Sequence, residues 1–342
     1  FGFTGTPIQD ENEKNKNTTA TVFGNELHRY SIADGIRDKN VLGFDPYLIS
    51  TYKDSKLREA VALDEAKANT IQEAMAYTKK KEIYLRFMDK SRVAMAGHWD
   101  KANNYVRGIE DYLLTEQYRR PEHQQKVVED ILDNWIQYSQ NNKFHGMFAT
   151  SSIAEAIEYY RLFKELKPEL KITALFDPNI DNNENAKFKE DGLVEIISDY
   201  NNRYGMEFSL ATHAKMKRDI ADRLAHKELY KRVEHTPEKQ LELLIVVDQM
   251  LTGFDSKWVN TLYLDKMLEY ANLIQAFSRT NRLFGKDKPF GIIRYYRRPH
   301  TMKRNIDAAV KLYSGDKPLA LFVDKLQDNL KKLNTIFTDI EQ

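Results

Sequence analysis

Short apolar segments alternate with longer segments of helical period through the second part of the chain. The apolar segments are 143–149, 171–176, 241–247, 261–264 and 290–295. Between them, apolar residues recur every three or four positions, as a helix with one buried face requires. Strands that are apolar on both faces and separated by helices form a parallel sheet covered by helices on both sides. We therefore predict an α/β fold, in which ligands bind at the carboxyl ends of the strands.

The elements between these strands follow from the same pattern. Helices are predicted at 123–138, 153–163, 193–200, 215–229 and 270–282, and a polar loop at 177–191.

The first part of the chain has a different pattern. Residues 8–20 are polar and predict a surface loop, whereas 41–52 are apolar and extended, with an interruption at Pro46. Residues 55–91 and 109–118 have helical period. We therefore predict an additional, largely helical segment that precedes most of the sheet.

The overall charge is close to neutral. The chain has 52 Lys and Arg against 51 Asp and Glu, which argues against a uniformly basic nucleic-acid coat protein. Residues 279–304 differ from this average, because they contain nine Lys and Arg and one acid, Asp287. We expect this basic segment to face phosphate groups.

The residue types that are absent also exclude some functions. The chain has no Cys, which excludes disulfides, thiol catalysis and zinc–thiolate sites and fits an intracellular protein. Its eight His are scattered without the spacing of metal ligands on a helix. No apolar run approaches the roughly 18 residues of a membrane span. We predict no metal site, no membrane partner and a cytoplasmic location.

The strongest chemical motif is the segment 275–282, which contains Gln275, Arg279 and Arg282. The two Arg are three residues apart and are predicted to share one helix face. Two guanidinium groups that converge can clamp a triphosphate and neutralise the charge of a phosphoryl group in transfer. A solvated basic helix face is the alternative, but the apolar neighbours of this segment indicate a buried helix.

Two further segments carry groups that suit phosphates. Thr252, Gly253 and Asp255 follow the buried strand at 241–247, where Gly permits close approach of the backbone and Asp can accept from an Arg or a ribose. Ser151 and Ser152 lie where a strand leads into a helix, which suits an oxyanion. Taken singly, the first segment reads as a turn and the second as a helix N-cap.

In order and spacing these three segments resemble the second RecA-like domain of a superfamily 2 helicase or translocase. Residues 150–152 correspond to motif IV, 251–255 to motif V and 275–282 to motif VI, while Thr4-Gly5-Thr6-Pro7 resembles motif III. A closer resemblance is to the motor (R) subunit of type I restriction enzymes. It is carried by residues 3–7, 33–42, 261–266 and 275–282 and extends over nearly the whole chain.

This resemblance implies a RecA-like parallel sheet and a role in ATP hydrolysis. Arg279 and Arg282 would be arginine fingers that reach the γ-phosphate, assisted by Gln275. Gly253 and Asp255 would contribute to nucleotide binding. Ser278 stands where many superfamily 2 members have Gly, a mild departure from the family pattern.

The resemblance also implies contacts with duplex DNA. Thr252, Ser151 and Ser152 would bind the DNA backbone. Thr4, Gly5 and Thr6 would couple the ATP state to the grip on DNA.

The chain lacks the Gly-x-x-x-x-Gly-Lys-Ser/Thr loop and the Asp-Glu-x-His box that bind Mg-ATP in this superfamily. Because the sequence starts with Phe1 in strand-like residues, we expect it to be a fragment of a longer parent. ATP and Mg²⁺ would then be cofactors of the parent, and this fragment alone would be inactive and hold neither tightly. The expected partners are double-stranded DNA and the methyltransferase and specificity subunits of a type I restriction complex.

Four domains are predicted on this basis. They are the end of a truncated first RecA-like domain (1–10), a linker and helical insertion (11–120), a second RecA-like domain (121–317) and the start of a C-terminal helical region (318–342).

Three alternatives remain at the level of sequence. The chain could belong to another superfamily 2 translocase of repair or remodelling, or be a non-catalytic RecA-like module that binds nucleic acid or protein. A Rossmann-like enzyme is disfavoured, because no Gly-x-Gly-x-x-Gly follows a predicted strand.

Overall fold

A six-stranded, all-parallel sheet forms the centre of the protein in the computed structural model, which describes residues 6–7, 18–24, 26–177, 186–314 and 322. The strand order is β1-β8-β7-β4-β6-β5. The strands are β1 (Phe44–Leu48), β4 (His145–Thr150), β5 (Ile172–Leu175), β6 (Leu243–Val246), β7 (Val259–Asp265) and β8 (Gly291–Tyr295), and a separate antiparallel pair consists of β2 (His98–Trp99) and β3 (Tyr105–Val106). The fold is a RecA-like α/β fold, as predicted.

Five of the six strands are buried along their whole length. These are the five apolar segments of the sequence, and their observed ends differ from the predicted ones by at most two residues. The agreement has a simple cause, because a strand covered on both faces is apolar at every position and so stands out in the sequence.

The sixth strand, β1, contains Pro46 and lies at the edge of the sheet, next to β8. Proline lacks a backbone N–H, and an edge strand tolerates this loss because one side of it has no partner strand. β1 falls in the range 11–120, so that range contributes one strand to the main sheet in addition to its helices. The domain boundaries themselves stay a prediction.

Helices cover both faces of the sheet and form most of the preceding segment. In chain order they are α1 (Thr19–Phe23), α2 (Ile32–Arg37), α3 (Asp54–Glu65), α4 (Ile71–Ala76), α5 (Thr78–Met88), α6 (Ile109–Tyr112), α7 (Pro121–Tyr138), α8 (Ile153–Leu166), α9 (Ala186–Tyr204), α10 (His213–Ala225), α11 (Tyr270–Phe277) and α12 (Pro299–Tyr313).

The described residues form two separate hydrophobic cores. The larger core surrounds the sheet, and the smaller one joins α3, α4, α5 and α6 through residues such as Leu57, Tyr84, Phe87 and Ile109. Burying a large apolar side chain contributes about 1.5–3 kcal/mol, so even the small core holds the helical segment together. We call residues 53–113 the helical segment from here on.

Several predicted elements have other bounds in the structure. The helix predicted at 109–118 is α6 followed by a 3-10 turn at Thr115–Arg119. Carbonyls that a longer helix would use accept side-chain hydrogen bonds instead, as when Arg298 Nη2 donates to Leu113 O at 2.7 Å. The helix predicted at 215–229 ends at Ala225, because His226 is left-handed (φ 51°).

Two further differences concern predicted loops. The loop predicted at 177–191 is already helical from Ala186, and the loop predicted at 8–20 gives way to α1 at Thr19. Residues 178–185 and 8–17 lie outside the described part of the chain, as do Phe1 and nearly all of the C-terminal helical region predicted at 318–342. Among the described helices, none combines the length and apolar character needed to span a bilayer.

Candidate functional site

The motif 275–282 straddles a helix end. α11 stops at Phe277, so Arg279 and Arg282 lie beyond it, and the prediction of a shared helix face is wrong. The cause is local: Ser278 Oγ donates to Ile274 O at 2.7 Å and Thr280 Oγ1 to Phe277 O at 2.9 Å. Such hydroxyl bonds compete with the backbone for carbonyls of the last turn.

The segment after α11 lies at the amino ends of the strands. Asn281 O accepts from Leu42 N at 2.7 Å, two residues before β1 begins, and Asp255 stands four residues before β7. α11 runs back across the sheet from the carboxyl end of β7 to the amino end of β8. The expectation that ligand groups gather at the carboxyl ends is therefore wrong for Arg279, Arg282 and Asp255.

Arg282 and Asp255 are in direct contact. Arg282 Nε donates to Asp255 Oδ1 at 2.7 Å, and the two side chains are 41% and 67% exposed. An ion pair this exposed contributes little to stability. It can therefore open or rearrange at low cost when another anion approaches.

Arg279 lies beside this pair. Its Nε donates to Gln275 O at 3.1 Å, and it has no carboxylate partner among the described residues. Burial lowers the pKa of Arg279, and the positive charge of Arg282 lowers it further. Repulsion between the two guanidinium groups is thus part of the site.

Lys288 is a third basic group here, and the sequence distinguishes it only as one member of the basic segment 279–304. It is fully buried, and its Nζ donates to Val259 O at 2.7 Å and to Lys257 O at 3.0 Å. Burial lowers the pKa of Lys288 to about 7, and the charge of Arg282 acts in the same direction. The one signal in the sequence is its place just before the buried strand β8.

Gln275 connects this site to the start of the chain. Its Nε2 donates to Thr6 Oγ1 at 2.7 Å. The segments that resemble motifs III and VI are therefore adjacent, as a coupling role for Thr6 needs. Thr4 and Gly5 lie outside the described residues, and the coupling role stays a prediction.

Thr252 and Gly253 lie in the long connection between β6 and β7. Gly253 has φ +72°, a left-handed conformation that disfavours other residues. Thr252 lines a cavity of about 450 Å³ with the residues that follow β6 and β7, among them Lys266. This cavity lies at the carboxyl ends of the strands, on the opposite edge of the sheet from Arg282.

Ser151 and Ser152 are at the carboxyl end of β4. Ser151 Oγ donates to Asp265 O at 2.9 Å. Ser152 is the N-cap of α8, where its Oγ accepts from Glu155 N at 3.3 Å. The predicted N-cap is confirmed, and a role in DNA binding stays a prediction for both residues.

A buried ionic cluster lies beneath Ser151. Asp265 is fully buried and binds His123 Nε2 at 3.0 Å, Tyr159 Oη at 2.8 Å and Arg297 at 3.0 and 3.2 Å. Arg297 also pairs with Glu155 at 2.7 Å. Burial alone would raise the pKa of Asp265, but the hydrogen bond from His123 and the charge of Arg297 lower it below its usual value.

Arg297 and Arg294 correct the expectation for the basic segment 279–304. Arg294 pairs with Asp130 at 2.5 Å and is 6% exposed in its side chain, so both guanidinium groups are occupied inside the protein. The segment does not present its nine charges to one ligand. Its first part, which includes Arg279, Arg282 and Lys288, lies at the amino ends of the strands.

Two family models match the sequence. Residues 142–298 match type I restriction enzyme subunit R domain 3, and residues 1–81 match the SWI2/SNF2 ATPase. Together with the parallel sheet, these matches define a RecA-like domain of the SNF2 and helicase-like ATPase class.

Curated relatives give the family. The chain is 35% identical over 341 residues to the type I restriction enzyme SauCOLORF180P endonuclease subunit of Staphylococcus aureus, with 97% of this chain and 31% of the relative covered. It is 33% identical to the SsaAORF53P endonuclease subunit of Staphylococcus saprophyticus, with 92% and 29% covered. The chain belongs to the family of type I restriction enzyme endonuclease (R) subunits and spans about a third of the length of these relatives.

A solved structure also resembles the chain. The ATP-dependent type ISP restriction-modification enzyme LlaBIII bound to DNA has a TM-score of 0.40 and 12% identity, with 85% of this chain and 15% of that chain covered.

Proposed function

We propose that this chain completes the ATP site of an R subunit by supplying Arg279 and Arg282 as arginine fingers. The observation that carries the proposal is the charge balance at the amino ends of the strands. Arg279 and Arg282 repel each other there, the charge of Arg282 also opposes protonation of Lys288, and Asp255 is the one carboxylate paired with any of the three among the described residues. A bound polyphosphate would relieve this excess of positive charge.

Asp255 orients Arg282 in this proposal. It binds only Nε of Arg282, so within the described residues the two terminal amino groups of the guanidinium keep their hydrogen-bonding capacity. Gln275 links the site to Thr6 through a side-chain hydrogen bond, and Gly253 lets the backbone turn without strain.

The donors of this site suit the phosphates of ATP, whereas the described residues offer no set of ligands for Mg²⁺. No group of three or more His, Asp or Glu in the described residues is arranged to hold a metal. ATP would supply the phosphoryl group, and Arg279 and Arg282 would stabilise its charge as the group transfers to water. Without a phosphate loop we expect the chain alone neither to bind ATP tightly nor to hydrolyse it.

DNA would bind at the opposite edge of the sheet. Thr252 is exposed there beside a cavity, and Ser151 and Ser152 end β4 at the same edge. In the proposed cycle, ATP closes the two RecA-like domains of the R subunit, and hydrolysis opens them, so that duplex DNA is moved. Thr6, with Thr4 and Gly5, would couple the ATP state to the grip on DNA.

The remaining predictions belong to the same proposal. The R subunit would work in the cytoplasm with methyltransferase and specificity subunits. The boundaries 1–10, 11–120, 121–317 and 318–342 divide the chain as set out from the sequence.

Arg282→Ala in a full-length R subunit that contains this chain tests the proposal. We expect ATP turnover to fall by about 10³ or more, as when other arginine fingers are removed. Arg218→Ala, an exposed arginine on α10, is the matched control and should leave turnover unchanged. Near-normal turnover in the Arg282 variant, with its thermal unfolding also unchanged, would contradict the proposal.

A second candidate function follows from the SWI2/SNF2 match at 1–81. This member of the R-subunit family would then act as a DNA translocase in repair or remodelling and not in restriction. Affinity purification of the full-length protein separates the two functions, since only a restriction complex should bring a methyltransferase and a specificity subunit with it.

A further inference from the structure

A cleft lies between the helical segment and α12, and its walls carry more basic than acidic side chains. It encloses about 540 Å³ and is lined by Arg58 and Lys90 on the helical side and by Lys303 and Arg304 on α12. We propose that this cleft binds a phosphate group, carried either by the DNA backbone or by a small phosphate compound.

Arg58 is the strongest reason. It is only 3% exposed, and its Nη1 donates to Phe87 O at 2.7 Å and to Val93 O at 2.8 Å. Neutral carbonyls do not cancel its charge, and no ion pair in the described part of the chain includes it. Burial lowers the pKa of Arg58, because its surroundings oppose the charge. An anion in the cleft would remove that cost.

Arg304 and Lys90 are likewise without a carboxylate. Arg304 Nη1 donates to Gly97 O and to Tyr105 Oη, both at 2.8 Å. Lys90 is exposed and takes part in no hydrogen bond or ion pair with another described side chain. Three cationic side chains therefore line the cleft without a carboxylate partner.

The two carboxylates of the cleft already have basic neighbours. Asp307 pairs with Lys303 at 2.9 Å, and Asp54 Oδ2 lies 2.9 Å from His300 Nε2. The latter contact lacks the alignment of a hydrogen bond, so His300 Nε2 is buried without a hydrogen-bond partner. Asp54 and Asp89 partly offset the charge of Arg58 through space, but among the described residues no carboxylate forms an ion pair with Arg58 or Arg304.

A phosphate group matches this set of donors. Guanidinium groups offer planar forks that fit phosphate oxygens, and the ammonium group of Lys90 adds a point charge. Because donors come from both walls, one phosphate group would bridge the helical segment and α12. The volume also accommodates a longer phosphodiester or polyphosphate.

The double variant Lys90→Gln/Lys303→Gln tests the proposal. It removes two exposed charges from the cleft and leaves both arginines, Arg58 and Arg304, in place. The matched control, Lys81→Gln/Lys311→Gln, removes the same charge from α5 and α12 outside the cleft. Circular dichroism of all three proteins checks that the fold is unchanged.

Two measurements identify the source of the phosphate. The first is the rise in melting temperature on adding inorganic pyrophosphate. The second is the affinity for a short duplex DNA as a function of salt, whose log–log slope should become shallower by about two if two DNA phosphate contacts are lost.

A smaller rise in melting temperature with pyrophosphate, or a shallower salt slope of DNA affinity, supports the phosphate site if it is seen in the double variant and not in the control. A shallower salt slope assigns the DNA backbone as the source, and loss of the pyrophosphate response alone assigns a small phosphate compound. The proposal is overturned if wild type and double variant behave alike in both measurements. Pyrophosphate bound at Arg279 and Arg282 would stabilise wild type, double variant and control alike, so the difference between these proteins is independent of the role of Arg282.

Discussion

Asp265 and Arg297 form a two-pronged ion pair at the carboxyl end of β7, with Arg297 Nε 3.2 Å from Oδ1 and Nη2 3.0 Å from Oδ2. Their side chains are 0% and 6% exposed. His123 continues the contact to Thr51, whose Oγ1 lies 2.7 Å from His123 Nδ1. The pair therefore ties the sheet to the chain that leads into the helical segment.

Asp265→Asn should destabilise the protein strongly. The variant removes the charge that Arg297 and His123 face, and breaking one side of a buried ion pair costs about 3–5 kcal/mol. We expect the free energy of unfolding in urea to fall by about this amount, somewhat less where Glu155 compensates Arg297.

Asp64→Asn is the control for this variant. Asp64 pairs with Lys67 at 3.7 Å, and both side chains are more than three-quarters exposed. Its loss should not change the urea midpoint measurably. Equal midpoints for the Asp64 and Asp265 variants would show that the buried cluster does not stabilise the fold.

Lys288 should make the stability of the protein depend on pH between about 7 and 10. Its folded pKa of about 7 lies below its ordinary value of 10.5, so between these values the unfolded chain binds a proton that the folded chain does not. Stability should rise from pH 7 towards pH 10, by up to about 1.4 kcal/mol per pH unit. Urea unfolding at several pH values measures this slope.

Lys288→Met keeps the length of the side chain and removes the titrating group. We expect the slope between pH 7 and 10 to become flatter, whatever the variant costs in stability at one pH. Lys286→Met, at an exposed neighbouring lysine, should keep the slope. A slope that is the same in both variants would mean that Lys288 is charged in the folded protein.

His145 and His226 should make the stability of the protein depend on pH in the acid range. Their Nε2 atoms are 2.8 Å apart, so one must donate and the other accept. Burial lowers the pKa of His145 to about 3 and that of His226 to about 4, against 6.5 for a free His. Because the unfolded chain then binds more protons below pH 6.5, stability should fall as the pH drops from 6.5 to 4.

His226→Asn should reduce this loss, since Asn tolerates the left-handed conformation (φ 51°) and does not titrate. The difference in melting temperature between pH 6.5 and pH 4.5 is the measurement. His235→Asn, at an exposed His nearby, should leave it as in wild type. An unchanged difference in the His226 variant would contradict a neutral His pair.

The sequence predicted the parts of the fold that depend on local pattern. The strand 243–246 is apolar at every position, so its burial on both faces could be recognised without any partner. The sequence left Asp255 free to accept from an arginine or from a ribose, and in the structure it accepts from Arg282.

The parts that could not be predicted depend on distant partners. Arg294 pairs with Asp130, which is 164 positions away in the sequence, and Arg297 pairs with Glu155, which is 142 positions away. Nothing near either arginine in the sequence distinguishes it from one that faces a ligand. The end of α11 at Phe277 was missed for a local reason, because hydroxyl bonds of Ser278 and Thr280 do not alter the apolar pattern.

Glu110 holds the helical segment against α12. It is fully buried, and its two carboxylate oxygens accept from His300 N at 3.1 Å and Thr301 N at 2.7 Å in the first turn of α12. These amides lack partners within the helix, and the positive end of the helix dipole favours a carboxylate.

Glu110→Gln should lower the free energy of unfolding by about 1–3 kcal/mol, because one of the two amides then faces an NH₂ group instead of an acceptor. Glu116→Gln, at an exposed Glu in the adjacent 3-10 turn, is the control and should have no measurable effect. Limited proteolysis adds a local readout, since cleavage within 53–113 should speed up in the Glu110 variant alone. If both variants unfold at the same urea concentration and are cut at the same rate, Glu110 does not fasten the helical segment to α12.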